Sequence, residues 1–220
     1  MAIRAKKTIM KKIYFIRHGE SEGNKGPVHQ VPTCLLTEKG REQAAFIANR
    51  CAKFPIEVVI SSALNRAKET AKIIVDKIGK PLEISDLFIE RKGPTEQIGK
   101  LRNDPKVLAI GKTIKENFSI KGFRFSDEEN FDDLKNRAIR ALAFLRDRQE
   151  ENILVVTHDF FMKTITAYAV FGEKLTAYEC EQFFRGLRIE NTGITILEFN
   201  DKEPEPLWQL WIWNDHSHLG

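Results

Sequence analysis

Two histidines stand where imidazole side chains could carry out chemistry on a bound ligand. His18 follows Arg17 at the end of the apolar run 13–16, and His158 lies just beyond the apolar run 153–156. Short apolar runs of this kind are typical of parallel strands that are buried on both faces. Because ligands of open α/β sheets bind at the carboxyl ends of the strands, we expect both imidazoles at one edge of one sheet.

A second arginine is expected at the same edge. The segment 61–66 leaves the apolar run 58–60 and opens a helix, which puts Arg66 near a helix N-terminus. Free backbone N–H groups and the helix dipole favour phosphate at such a place. Arginine forks bind phosphate oxygens, and an imidazole can attack phosphorus. The convergence of Arg17, His18, Arg66 and His158 therefore predicts a site for phosphoryl chemistry.

The spacing of apolar residues predicts the helices that separate these strands. Three segments repeat apolar residues at intervals of three and four, the periodicity of a helix with one buried face. They are Ala44, Ile47, Ala48, Cys51 and Ala52; Ala67, Ala71, Ile74, Val75 and Ile78; and Leu134, Ala138, Ala141, Leu142 and Leu145. Gly79 is expected to end the second of them. The segment 160–171 is apolar nearly all round and stops at Gly172, so we expect a buried helix there.

Strands and helices alternate along most of the chain. We expect a weaker strand at 82–84 and two more at 194–199 and 207–213, the last two joined by a turn at 201–206. This alternation predicts the α/β fold class, with helices on both faces of a mostly parallel sheet in a three-layer α/β/α sandwich.

One stretch departs from this alternation. Residues 91–130 hold several glycines and prolines, many charges and no clear strand, and we interpret them as a cap insertion rather than a second domain. Residues 1–11 are interpreted as a basic N-terminal extension. The expected organisation is one domain over residues 1–220.

Composition argues against several classes of function. The chain has 220 residues, of which 42% are hydrophobic and 30% charged, as in ordinary soluble domains. No apolar run approaches the roughly 18 residues that a membrane span needs, so we expect no membrane partner. The net charge of +4 comes without a basic stripe, and a nucleic-acid partner is not expected. Three scattered cysteines argue against a disulfide framework and a thiolate metal site, and favour a cytoplasmic location.

Four blocks of sequence resemble a known family. Arg17-His18-Gly19-Glu20-Ser21 with Asn24 is similar to the R-H-G-E-[ST]-x-x-N signature of the histidine phosphatase superfamily, which includes the cofactor-dependent phosphoglycerate mutases. The other three blocks follow in the family's order: Leu36-Thr37 with Gly40 and Gln43-Ala44, Ser61-Ser62 through Arg66-Ala67 and Thr70-Ala71, and Val156-Thr157-His158. The resemblance implies a phosphoglycerate mutase-like fold.

The resemblance also implies a mechanism. His18 would attack phosphorus and become a phosphohistidine, while Arg17, Arg66 and His158 hold the phosphoryl oxygens and Asn24 assists. Water would then release phosphate in a phosphatase, whereas a mutase returns the group to another hydroxyl. No metal and no other cofactor are required, because the arginines and His158 supply the positive charge. We expect a backbone carbonyl on the other ring nitrogen of His18.

Two carboxylates compete for the role of the general acid that protonates the leaving oxygen. The resemblance implies Glu90, which follows the third strand; Asp159 is the rival, because another branch of the family uses the aspartate of a His-Asp pair. This sequence also departs from the family's pattern, which often has Gly after the second histidine and a G-x-x-x-G-E-S segment near residues 126–129. Substrate identity is therefore left open.

The predicted function is a phosphatase that acts on a small phosphorylated substrate through His18. The alternatives are a cofactor-dependent phosphoglycerate mutase and, from another class, a non-catalytic sensor of a phosphorylated ligand. A homodimer is left open. For Thr37, Ser62 and Asp159 we predict a structural role as N-caps of the helices that follow them.

Overall fold

One mixed sheet organises the computed structural model, which describes residues 9–202 and 207–220. Its strands are β1 (Met10–Arg17), β2 (Val58–Ser61), β3 (Leu82–Ile84), β4 (Asn152–Thr157), β5 (Ile194–Asn200) and β6 (Trp208–Asp215). Their order is β3-β2-β4-β1-β5-β6. The first four strands pair in parallel, whereas β5 and β6 are antiparallel to their neighbours. The sheet is thus mostly parallel, as predicted.

The two faces of the sheet carry separate hydrophobic cores. In β1, Ile13 and Phe15 belong to one core and Tyr14 and Ile16 to the other, because successive side chains of a strand point to opposite faces. Helices α5 (Phe131–Arg146) and α6 (Asp159–Phe171) cover the first face, and α2 (Glu38–Cys51) and α3 (Asn65–Ile78) cover the second. This arrangement is the predicted three-layer sandwich, and it explains why the central strands read as continuous apolar runs.

The remaining helices of the described ranges are α1 (Glu22–Lys25), α4 (Pro105–Glu116) and α7 (Ala177–Gly186). Two predicted helix ends are confirmed. Gly79 follows α3 with a φ of 66°, and Gly172 follows α6 with a φ of 58°. Glycine adopts these positive φ values without the steric cost that a Cβ would impose.

The segment 91–130 contains a helix, α4, that the sequence pattern did not reveal to us. Asp104 caps this helix by accepting the backbone N–H of Lys106 at 2.8 Å, and Pro105 occupies its first turn. An Asp-Pro pair of this kind is a helix start signal that we overlooked among the charges. Short 3-10 turns occur at Asp86–Phe88 and Thr95–Gln97.

Three smaller expectations need correction. Strand β1 begins at Met10, so Met10 and Lys11 belong to the sheet and not to an extension. Ala52 lies beyond the last residue of α2 and is exposed. Residues 1–8 of the expected extension, and residues 203–206 of the expected turn, lie outside the described residues.

One of the three predicted N-caps is confirmed and two are wrong. Thr37 accepts the backbone N–H of Gly40 at 3.0 Å and caps α2. The N-cap of α3 is Leu64, two residues after Ser62. The N-cap of α6 is His158, one residue before Asp159. The hydroxyl of Ser62 and the carboxylate of Asp159 have other side-chain partners, which are described below.

A close backbone contact holds α2 against the turn that follows β1. A Cβ placed on Gly19 would collide with the carbonyl oxygen of Gly40, and a Cβ on Gly40 would collide with that of Glu20. Both positions therefore require glycine, and the contact fixes the turn beside His18.

Candidate active site

The carboxyl ends of β1, β2 and β4 lie side by side, as the sequence predicts. Arg17 is in register with Thr157 across the β1–β4 pair, and the backbone N–H of His18 donates to the carbonyl oxygen of Thr157 at 3.0 Å. His158 follows on the adjacent strand. The centroids of the two imidazole rings are 5.0 Å apart, and both rings are buried. The structure therefore brings His18 and His158 together.

The contacts of the His18 ring define its protonation state. Nδ1 lies 2.7 Å from the carbonyl oxygen of Gly19, and a carbonyl can only accept, so the proton is on Nδ1. The Nε–H of Arg66 points at Nε2 at 3.1 Å, which requires a lone pair on Nε2. Burial lowers the pKa of His18 well below its ordinary value of 6.5, and the charges of Arg66 and Arg17 lower it further. The result is a neutral imidazole with an unprotonated Nε2.

Arg17 is anchored by a loop that sequence reasoning missed. Its Nη1 donates to the carbonyl oxygen of Ile189 at 2.6 Å. In the same loop, Asn191 donates from Nδ2 to the carbonyl oxygen of His18 at 2.8 Å, and Thr192 has a left-handed φ of 61°. Because β5 is antiparallel to β1, the residues that precede β5 arrive at the edge where β1 ends.

His158 is held from one side by Ser62. Its Nε2 lies 2.8 Å from the hydroxyl oxygen of Ser62, which also accepts the backbone N–H of Leu64 at 3.2 Å. Nδ1 is buried and has no hydrogen-bond partner among residues 9–202 and 207–220. Burial lowers the pKa of His158 well below 6.5, and the positive groups around it contribute to the same shift. Ser62 is thus part of the site, which explains why it does not cap α3.

The carboxylate of Glu90 sits at the N-terminus of α6. It accepts the backbone N–H groups of Phe160 at 3.2 Å and Phe161 at 3.1 Å, and also that of Arg91 at 2.9 Å. Burial raises the pKa of Glu90, and the charge of Asp159 adds to the rise, whereas these N–H groups and Arg66 oppose it. A carboxyl group with a raised pKa is suited to carry a proton as a general acid.

Asp159, the rival carboxylate, points to a different partner. It forms an ion pair with Lys163 one helical turn further along α6, at 3.2 Å. Glu90 lines the large cavity described below, together with Arg66, whereas Asp159 does not. The geometry favours Glu90 as the group that can reach a ligand.

A buried arginine on α5 that sequence reasoning missed holds the segment before Glu90. Arg137 donates from Nη1 to the carbonyl oxygen of Ile89 at 2.7 Å and forms a two-pronged ion pair with Glu129, at 2.8 and 2.7 Å. Its guanidinium lies 3.9 Å from the ring centroid of Phe161. Arg137 is 5% exposed and stands three residues after Leu134 and four before Ala141, so a cation on the apolar face of this helix was the signal that could have found it.

Asn24 lies in the exposed helix α1 and not in the cavity wall. Its Oδ1 accepts both the backbone N–H and the hydroxyl of Ser21, each at 3.0 Å. The expected contact between Asn24 and phosphate stays a prediction.

A cavity of about 670 Å³ opens beside Arg66 and Glu90. Its walls come from the segment 91–118, the loop around His29 and the helices α6 and α7. His18 and His158 are buried and lie next to Arg66, outside the lining of the cavity. Within the described part of the chain, no three His, Cys, Asp or Glu side chains come together as metal ligands, and no helix has the length and apolar character to cross a membrane.

Comparison with known proteins agrees with this geometry. Residues 13–215 match the family model described as "Histidine phosphatase superfamily (branch 1)". The chain is 29% identical to the 2,3-bisphosphoglycerate-dependent phosphoglycerate mutase of Thermoplasma acidophilum. The alignment spans 194 residues and covers 86% of this chain and 88% of that protein.

Two solved structures share the fold. YhfR of Bacillus stearothermophilus superposes with a TM-score of 0.80 at 24% identity, over 96% of this chain and all of that one. A putative alpha-ribazole-5'-P phosphatase of Escherichia coli gives a TM-score of 0.76 at 22% identity, over 93% and 96% of the two chains.

Proposed function

Since this chain belongs to the histidine phosphatase superfamily, we propose that it hydrolyses phosphate monoesters through a phosphohistidine on His18. The observation that carries the proposal is the state of the His18 ring. Gly19 holds the proton on Nδ1, and the lone pair of Nε2 faces the guanidinium of Arg66. An unprotonated ring nitrogen next to a phosphate-binding group is what an attack on phosphorus requires.

In the first step, Nε2 of His18 forms a bond to phosphorus and the bond between phosphorus and the ester oxygen breaks. Glu90 gives its proton to the departing oxygen, so the product alcohol leaves neutral. Arg66, Arg17 and His158 bind the phosphoryl oxygens and stabilise the charge that is spread over them in the transition state. If the Ser62 hydroxyl donates to Nε2 of His158, the proton of that ring is on Nδ1, which is available as a donor.

In the second step, water attacks phosphorus and the bond to Nε2 breaks. The Glu90 carboxylate accepts a proton from the water, which restores the acid for the next cycle. Phosphate leaves and His18 returns to its neutral state. The positive charge comes from side chains throughout, so we propose that the reaction needs neither a metal nor another cofactor. We further propose a small phosphorylated substrate and a cytoplasmic enzyme.

The proposal is tested by phosphate release from a panel of phosphate esters with a chelator present. The wild type is compared with His18→Ala and with His216→Ala, a matched variant of an exposed histidine outside the site. We expect release from the wild type and from His216→Ala, and none from His18→Ala. A pulse of radiolabelled ester should also leave an acid-labile, alkali-stable label on the denatured wild type. Equal release by all three proteins contradicts the proposal.

A mutase is the second candidate, and the similarity to the Thermoplasma acidophilum mutase supports it. A mutase would convert 3-phosphoglycerate to 2-phosphoglycerate in the presence of the 2,3-bisphosphate, with little phosphate released. Interconversion much faster than phosphate release favours the mutase. If neither phosphate release nor interconversion is detected, the result favours a sensor of a phosphorylated ligand.

A further inference from the structure

The cavity beside Arg66 and Glu90 has much more room than a phosphoryl group occupies. Its volume of about 670 Å³ falls in the range of roughly 300–1,000 Å³ that is typical of pockets for whole organic ligands. The phosphoryl group must lie at the His18 end, next to Arg66. The rest of the cavity is therefore available to the alcohol part of the ester, and the character of its walls bears on what that alcohol is.

One wall is aromatic. Phe118, two residues beyond the end of α4, forms a cluster with Phe160 from α6 and Phe184 from α7. The ring centroids are 3.7 Å apart for Phe160 and Phe184 and 5.8 Å apart for Phe118 and Phe184. The guanidinium of Arg91 lies 5.0 Å from the Phe160 ring and 5.5 Å from the Phe118 ring. All three rings line the cavity and are only half-buried. Partly accessible aromatic faces in a concave site favour a flat apolar group.

The same cavity carries positive charge that no neighbouring group neutralises. Among the cations in its lining, Lys92 pairs with Asp127 and Arg185 pairs with Glu181. By contrast, the ammonium group of Lys115 has no ion pair or hydrogen bond with any described residue. The side chain of Arg102 makes a single hydrogen bond within the described chain, to the carbonyl oxygen of Gly23 at 3.2 Å.

We propose that the substrate is a phosphate monoester whose alcohol contains a flat unsaturated ring and a second acidic group. The ring packs on Phe118, Phe160 and Phe184, and the acidic group binds Lys115 and Arg102. This inference rests on the proposed phosphatase function and adds the chemical class of the leaving group to it. A small hydroxy acid such as phosphoglycerate would satisfy the cations but would leave the aromatic wall uncovered.

Binding of phosphonates tests the inference separately from turnover, because their carbon–phosphorus bond is not hydrolysed. Four ligands combine the ring and the acidic group in every way. Ethylphosphonate has neither feature, benzylphosphonate has the ring, 2-carboxyethylphosphonate has the acid, and 4-carboxybenzylphosphonate has both. We expect calorimetric titration to show that each feature tightens binding about 5–10-fold, since such contacts contribute roughly 1 kcal/mol each. The ligand with both features should bind most tightly.

Two variants assign the features to residues. Phe118→Leu should weaken binding of the two ring ligands and leave the other two unchanged. Lys115→Met should weaken binding of the two acids only. Lys112→Met is the matched control, because Lys112 is exposed on the same helix and is outside the cavity lining.

The outcomes separate this inference from the proposed function. Equal affinity for all four phosphonates, or equal effects of Lys115→Met and Lys112→Met, overturns the substrate class even if phosphate release is intact. The expected order of affinities, with no release of phosphate from the corresponding esters phenyl phosphate and 4-carboxyphenyl phosphate, supports recognition of this ligand class and contradicts hydrolysis.

Discussion

The Nε–H of Arg66 donates to Nε2 of His18 over 3.1 Å, and both side chains are only 2% exposed. Arg66 thereby occupies the lone pair that would attack phosphorus. For the reaction to proceed, Arg66 must exchange this bond for one to a phosphoryl oxygen, which frees Nε2 when a phosphate arrives. We therefore expect two functions of the same guanidinium: it keeps Nε2 unprotonated between turnovers and binds the phosphoryl group during them.

Replacement of Arg66 should therefore damage catalysis more than the loss of one charge. For Arg66→Ala we expect kcat/KM to fall by about 10²–10³-fold, the usual effect of removing one preorganised donor to the transition state. Arg66→Lys should recover only part of this loss, because an ammonium group lacks the planar fork. Steady-state kinetics measures both. Arg41→Ala is the control. It removes an exposed guanidinium bonded to Glu69 and should leave kcat/KM nearly unchanged.

Leaving groups distinguish Glu90 from Asp159 as the general acid. Glu90→Gln should lower kcat by about 10²–10⁴-fold for an alkyl phosphate, whose poor leaving group needs a proton. The same variant should retain most activity on 4-nitrophenyl phosphate, because nitrophenolate leaves without one. Asp159→Asn is isosteric and should show no such dependence. The assignment of Glu90 fails if Asp159→Asn is the variant that discriminates between the two esters.

The pH profile supplies a further check on the same pair of groups. The proposed mechanism needs His18 neutral and Glu90 protonated, and the pKa of His18 is lowered while that of Glu90 is raised. Activity should therefore persist on the acidic side of neutrality and decline as Glu90 loses its proton. The wild type should show this alkaline limb with an alkyl phosphate. With 4-nitrophenyl phosphate, whose leaving group needs no proton, the limb should be absent from both the wild type and Glu90→Gln.

Arg137 is expected to position Glu90 although it does not line the cavity. It binds the carbonyl oxygens of Ile89 and Leu87, and its bonds to Glu129 join this segment to the start of α5. Arg137→Lys keeps the charge but loses the fork, so we expect kcat to fall for alkyl phosphates and much less for 4-nitrophenyl phosphate. Arg140→Lys, at an exposed position of the same helix, is the control.

Unfolding measurements keep this test interpretable, because an arginine removed from a buried ion pair can cost about 3–5 kcal/mol of stability. Glu129→Gln preserves shape and weakens the same pair. If both variants lose activity on the two esters to the same extent, or only lower the unfolding midpoint, Arg137 is structural and does not position the acid.

The two buried histidines should make the protein less stable in acid. Folding lowers the pKa of His18 and of His158, so below about pH 6.5 the unfolded chain binds protons that the folded chain refuses. The stability that depends on the neutral histidines is fully present above that pH. As the pH falls through it, the unfolding free energy decreases by up to about 1.4 kcal/mol per pH unit for each histidine. Urea unfolding between pH 7.5 and 5.5 should show a smaller slope for His158→Asn than for the wild type, and no change for His216→Asn.

The sequence was sufficient to predict the location of those site residues that directly follow parallel strands. An apolar run identifies such a strand, and the residue after it must lie at the ligand-binding edge, so His18, Arg66 and His158 could be placed together. Ser62 was read as a helix cap because its spacing fits that role. Only the three-dimensional register of β2 and β4 shows that its hydroxyl faces His158.

Contacts that join distant segments could not be anticipated. Asn191 and Thr192 reach the backbone of His18 and Arg17 because β5 runs antiparallel to β1, and no local pattern states the direction of a strand. Arg137 falls on the apolar face of α5, three residues after Leu134, but its partners Ile89 and Glu129 lie outside that helix and no periodicity identifies them. The helix α4 is different: Asp104 and Pro105 gave a usable signal, and the glycines and charges around them concealed it.

The order of the strands has a consequence for how the molecule is made. β1 is synthesised first, yet its neighbours in the sheet are β4 and β5, with Lys12 in register with Asn152 and Ile13 with Leu197. β2 can pair with β3 soon after synthesis, but its other edge waits for β4, which stands between β2 and β1. In a nascent chain, β1 and one edge of β2 therefore have no partner strand until Asn152–Thr157 has left the ribosome. Such long-range pairing slows folding and exposes strand edges, so a chain truncated before β4 should aggregate rather than fold.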